Sequence, residues 1–111
     1  MHPHHAEVVL RAQHRCEYCH APAMVFNLSL EVEHLVPVSR GGAETAANWA
    51  LACRACNLYK ARHISGYEAE SQTVVRLFHP REDQWEEHFQ VVTESGELVG
   101  LTPIGRATVA R

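Results

Sequence analysis

The chain has 111 residues, 46% of them hydrophobic and 21% charged, and a formal net charge of −3. That length suits one compact domain with a modest core, which a metal staple would support. No apolar run approaches the roughly 18 residues of a membrane span, and no apolar stretch follows a basic one at the start, so neither a membrane anchor nor a secretory leader is expected and the location is read as cytoplasmic.

The charge is uneven. Residues 1–15 carry +1, residues 16–62 are neutral and residues 63–111 carry −4. Affinity for phosphate from charge alone is therefore modest and salt-dependent. The histidine-rich opening, residues 1–7, is assigned no role.

In chain order, residues 7–14 carry Val8, Val9, Leu10 and Ala12 and suit a short helix. Leu28, Leu30 and Val32 alternate with Ser29, Glu31 and Glu33, the period of a half-buried strand. Pro37 and Gly41-Gly42 break the chain, and Asn48 sits in or after that loop. Residues 49–52 are apolar and suit a return strand. Residues 54–63 lack Gly and Pro and read as a helix stopped by Gly66. Farther on, residues 73–78 are strand-like and His79-Pro80 makes a turn. Residues 82–89 suit a short helix with Trp85 and Phe89 on one face. Ser95-Gly96 suits a hairpin turn between residues 91–93 and 98–101. Thr102-Pro103 reads as an N-cap followed by proline at the first helical position. This second segment, residues 71–111, is expected to be structural support.

Four cysteines form two C-x-x-C pairs, Cys16/Cys19 and Cys53/Cys56, with 33 residues between the pairs. Each pair lets two thiolates from one tight turn reach one ion, and two such turns complete a tetrahedron. A disulfide framework is the weaker reading without a secretory signal. A closed tetrathiolate site has no open coordination position, so its zinc is structural and contributes folding free energy directly.

Between and after the pairs stand Glu33-His34, the glycine-broken loop, Asn48, and then Cys53-x-x-Cys56-Asn57-x-x-Lys60. Over residues 16–60 this arrangement resembles the HNH endonucleases of the His-metal finger group. The tail segments Leu77-Phe78-His79-Pro80-Arg81 and Gly100 to Thr108 are similar to the C-terminal part of a bacterial HNH subfamily. The resemblance implies an α+β fold. Its core would be a ββα-metal (His-Me finger) unit, a two-stranded hairpin with a helix across it, stapled by the four-cysteine zinc site, with a small C-terminal β-hairpin/helix extension. The whole of residues 1–111 would form one nuclease domain, with its motif core at 16–63 and the extension at 71–111.

The resemblance further implies metal-dependent hydrolysis of nucleic-acid phosphodiester bonds. His34 would be the general base, and Glu33 and Asn57 the ligands of one catalytic divalent cation. Asn48 would hold the His34 loop, Lys60 would face a phosphate, and Arg40, Arg54 and Arg62 would be further substrate contacts. The chemistry asks for these types. Histidine is poised near neutral pH to deprotonate water, and a divalent ion stabilises charge gathering on the phosphorus and the leaving oxygen. Carboxylate and carboxamide oxygens suit Mg²⁺ or Mn²⁺. Adjacent strand residues point to opposite faces, so Glu33 and His34 share a site only if the strand ends or twists there.

DNA is the expected substrate, with RNA the other candidate. A homodimer or larger nucleoprotein assembly is compatible with double-strand cleavage, and no membrane partner is expected. The competing function is a non-catalytic zinc-knuckle module that binds nucleic acid or protein; it needs the cysteines and is indifferent to His34, Asn48 and Asn57. His63, His79 and His88 have no comparable context.

Overall fold

The computed structural model describes residues 2–21, 30–60 and 63–110. The fold is mixed α+β, with short helices and three two-stranded antiparallel sheets among the described residues. Contacts divide the chain into two compact units, Met1–Arg62 and His63–Arg111. None of the described helices is long and apolar enough to cross a membrane.

In the first unit, helix α1 spans His5–Arg11. It ends in a Schellman pattern: Gln13 N–H donates to Leu10 O, His14 N–H donates to Val9 O, and Gln13 takes the left-handed φ of 57°. Strand β1 (Leu30–His34) pairs antiparallel with β2 (Trp49–Cys53), Val32 opposite Leu51 and His34 opposite Trp49. Helix α2 (Arg54–Lys60) follows β2 directly. Every residue of β2 is buried, because α1 packs on the hairpin and so does α2. Val8, Trp49 and Leu51 form the core, with Val9, Ala12, Leu30 and Val32 around it. By strand alternation Trp49 and Leu51 share one face, which leaves Glu33 and Ala50 for the other. Leu28 and Ser29 of the expected first strand, and Ala61 and Arg62 of the expected helix, lie outside the described residues.

The loop between β1 and β2 carries two 3₁₀ turns, Val38–Arg40 and Ala46–Asn48. Gly41 closes the first turn at φ 88°. Gly42 lies so close to the chain that a Cβ there would strike the Val36 carbonyl. Arg11 ties the second turn to α1, donating to Ala46 O at 2.8 Å and Trp49 O at 2.5 Å.

In the second unit, β3 (Ser65–Glu68) pairs with β4 (Thr73–Arg76). Gly66, expected to stop a helix, instead lies inside β3 opposite Val75; His63 is already non-helical. The expected helix over 82–89 is one turn, α3 (Trp85–His88), and Phe89 opens strand β5 (Phe89–Val91), which pairs with β6 (Leu98–Gly100). Pairing with Gly100 extracts Phe89 from the helix, yet its ring stays 5.5 Å from that of Trp85. Helix α4 runs Pro103–Ala110. Thr102 Oγ1 caps it by accepting from Gly105 N–H at 3.0 Å. The two tail segments singled out in the sequence meet here: Phe78 N–H donates to Thr108 Oγ1 at 2.8 Å. A Cβ on Gly105 would strike the His88 carbonyl, so glycine is what lets α4 approach that closely.

Candidate functional site

The two C-x-x-C turns converge. The Cys16, Cys19, Cys53 and Cys56 sulfurs all lie within 4.8 Å of one another, with Cys19 and Cys53 at 4.0 Å. Tyr18 N–H and Cys19 N–H donate to Cys16 Sγ at 3.4 and 3.5 Å. The first turn is pinned to β2: Glu17 N–H donates to Leu51 O at 2.8 Å, and Leu51 N–H donates to Glu17 Oε2 at 2.7 Å. Hydrogen bonds from Cys19 and Cys56 pull the Cys16 thiol well down, whereas the bond to Cys16 pushes Cys19 and Cys56 up. Thiols this close share protons unequally, and a cation that displaces those protons resolves the conflict. The cluster can hold a metal ion such as zinc.

Glu33, His34 and Asn57 line one open cavity of about 310 Å³ with Val32, Pro37 and Val38. Glu33 and His34 reach it together because β1 ends at His34. The Glu33 side chain is 4% exposed. Its Oε1 accepts a short hydrogen bond from the Tyr18 hydroxyl, and its Oε2 lies 3.2 Å from Lys60 Nζ. Burial raises the Glu33 carboxyl above its usual range, opposed by the Lys60 charge and the Tyr18 hydroxyl. Burial, then the Glu33 charge, pushes the Tyr18 phenol up, which keeps it a donor.

Lys60 differs from the expectation of a phosphate contact. It is buried, and its ammonium also donates to Leu35 O at 3.2 Å. A buried ammonium needs compensating partners, and it finds them inward on β1 and the chain just after it.

Asn48, itself buried, clasps the loop with three bonds. Its Oδ1 accepts from Val36 N–H at 2.9 Å, and its Nδ2 donates to Val36 O at 3.0 Å and Ala43 O at 2.8 Å. Arg40 and Arg54 are exposed, the latter 4.0 Å from Glu31. Arg62 lies outside the described residues.

Three site neighbours went unnoticed in the sequence: Tyr18, Glu44 and His2. Glu44 Oε1 makes a short hydrogen bond with His34 Nε2 and accepts from Trp49 Nε1 at 3.1 Å. The His34 bond, then the Trp49 bond, lowers the Glu44 carboxyl. Nε2 is thus the ring nitrogen of His34 that meets the Glu44 carboxyl. His2 Nε2 lies 3.8 Å from the same Glu44 oxygen. An acid ten residues downstream in a polar loop and a histidine near the chain start carry no periodic signal; only folding reveals them.

Two further observations concern likeness. Neither a curated protein nor a solved structure matches the chain. Residues 16–62 match the family model of the HNH endonucleases.

Proposed function

We propose, from the premise that residues 16–62 are an HNH domain, that this protein is a metal-dependent endonuclease hydrolysing phosphodiester bonds, with DNA as its substrate. The observation that supports the reading is one cavity lined by Glu33, His34 and Asn57 together. In this reading β1, β2 and α2 are the ββα-metal core, and residues 71–111 are an extension of the same nuclease domain.

His34 acts as the general base. Glu44 holds Nε2–H, so Nδ1 accepts the proton of the attacking water. Asn57 and Glu33 hold the catalytic cation. The fit rests on donor chemistry: a carboxylate offers about four lone-pair positions, so its bonds to Tyr18 and Lys60 leave acceptor capacity, and carboxylate plus carboxamide oxygen suits a hard cation. When bound, Mg²⁺ or Mn²⁺ supplies charge stabilisation at the phosphoryl oxygens. Asn48 keeps the 35–48 loop closed around His34. Lys60 positions Glu33, while Arg40, Arg54 and Arg62 contact phosphate. Zinc fills the thiolate cluster, since four soft sulfur donors with no open position suit that ion.

The test is plasmid cleavage in Mg²⁺ or Mn²⁺ by wild type and His34→Ala. The variant is expected to keep its zinc and its circular dichroism spectrum and to lose about 10²- to 10⁴-fold in rate, the usual worth of a general base. Attack by water with the 3′ oxygen leaving predicts 5′-phosphate and 3′-hydroxyl ends. Equal cleavage by the two proteins would reject the nuclease mechanism and favour a binding module.

A further inference from the structure

His34 faces two ways. One side opens on the cavity; the other, through Nε2, meets Glu44 and the His2 ring. His2, His34 and Glu44 each offer one ligand atom, and these atoms lie within 4.8 Å of one another. Two histidines and a carboxylate are a donor set for Zn²⁺ or Co²⁺, unlike the oxygen donors at Glu33 and Asn57. Donors about 2.0–2.1 Å from a tetrahedral ion stand about 3.3 Å apart, so the trio draws somewhat closer around an ion.

His2 supplies the second observation. Its Nε2 is buried and makes no hydrogen bond, although it points toward Glu44 at 3.8 Å. Its ring packs edge-on against Trp49 with centroids 4.7 Å apart. Nδ1 is engaged by the His4 N–H at 3.1 Å, in an exposed contact. A buried nitrogen with no partner is uncommon in a native fold. Glu44 and His34 are open to solvent, with side chains 61% and 26% exposed, so an ion has a way in.

We propose that His2, His34 and Glu44 form a second, inhibitory binding site for a borderline transition-metal ion such as Zn²⁺. The inhibition, though not the binding, rests on the nuclease reading above. A metal on Nε2 of neutral His34 needs a lone pair at that nitrogen, so the proton that Nε2 had donated to Glu44 moves to Nδ1. No proton is lost overall, but the nitrogen that would deprotonate water is now capped by hydrogen. The same shift in His2 exchanges its exposed bond to His4 for a metal bond.

The experiment titrates the whole chain, loaded with one equivalent of zinc to fill the thiolate cluster alone, with Co²⁺ and follows visible absorption. One equivalent binding with d–d bands and without thiolate charge transfer is expected. His2→Ala and Glu44→Gln should each weaken that binding at least tenfold, and His63→Ala should leave it alone. Binding that is absent, or unchanged in both variants, overturns the site. In parallel, Zn²⁺ is added to cleavage reactions run in Mg²⁺. His2→Ala should cleave as wild type does and need at least tenfold more Zn²⁺ for inhibition; equal sensitivity overturns the inhibitory role. A protein that cleaves nothing yet binds Co²⁺ through His2 and Glu44 refutes the nuclease reading and supports the site.

Discussion

Each unit buries a glutamate against a cation from a later helix, and the two carboxylates fare differently. In the first unit Glu33 meets Tyr18 and Lys60 beside an open cavity, and burial raises its carboxyl above the usual range. In the second unit Glu68 is also buried. It accepts from Glu70 N–H and Ser71 N–H at 2.9 Å each and from Arg106 Nε at 3.1 Å and Nη2 at 3.3 Å. The Arg106 fork, helped by those amides, holds its carboxyl down at about 2. A planar guanidinium with two amides satisfies a carboxylate more fully than one ammonium and one phenol. Glu68 is a closed structural lock; Glu33 is held in direction but left with capacity.

The largest effect should come from the thiolate cluster. Removing the metal with a chelator, or replacing Cys16 by Ser, is expected to unfold residues 1–62. Structural zinc is worth on the order of 10 kcal/mol, comparable to the whole stability of a small domain. Hydrogen exchange followed by mass spectrometry checks this. Protection retained in β2 after metal loss would break the assigned dependence, and protection in β3 and β4 is expected to fall less.

Lys60→Met comes next. It leaves Glu33 buried with its main cationic partner gone, at a cost of about 3–5 kcal/mol, and a Lys60→Met/Glu33→Leu double variant should recover much of it. The pH sign follows from the direction of the shift. A carboxyl raised by the fold makes folding less favourable as it ionises, so the loss deepens as pH rises from the unfolded range through the folded value. Denaturant titrations at several pH values test both points.

Asn48→Ala is expected to cost about 1–3 kcal/mol, because it strands the buried loop groups it satisfied. Cleavage should fall with it, and amide exchange at Val36 reports the loop.

In the second unit, Arg106→Met should act through pH with the opposite sign. Glu68 is depressed to about 2, so its contribution is complete above the ordinary carboxyl value of 4.5 and is lost as pH falls toward 2. The variant should flatten the acid limb of the unfolding curve for residues 63–111. An unchanged acid limb would remove the lock from the comparison. Thr102→Ala is the mildest change, about 1 kcal/mol for a lost cap on α4, read as a small shift in midpoint denaturant concentration.

What was legible in the sequence was whatever spacing or period encodes. The cysteine pairs, the alternation through Glu31 and Val32, the apolar β2 and the Thr102-Pro103 start all write their geometry locally. The strand β3 did not, because Gly66 has poor strand propensity and is held by its partner Val75. Phe89 shows the same override, since helix spacing put it beside Trp85 and strand pairing claimed its backbone. At the site, the residue types were legible and their directions were not. Lys60 looks like a surface cation in a linear reading, and only the buried Glu33 explains why it turns inward. Glu44 and His2 acquire their neighbours through tertiary closure alone.

Tyr18 stands between Cys16 and Cys19, and its hydroxyl reaches across to Glu33. The turn that brings Cys16 and Cys19 to the sulfur cluster therefore also holds the acid that lines the cavity. Loss of a thiolate-held metal would slacken that turn, so the direction of the Glu33 carboxyl is expected to depend on occupancy of the sulfur cluster.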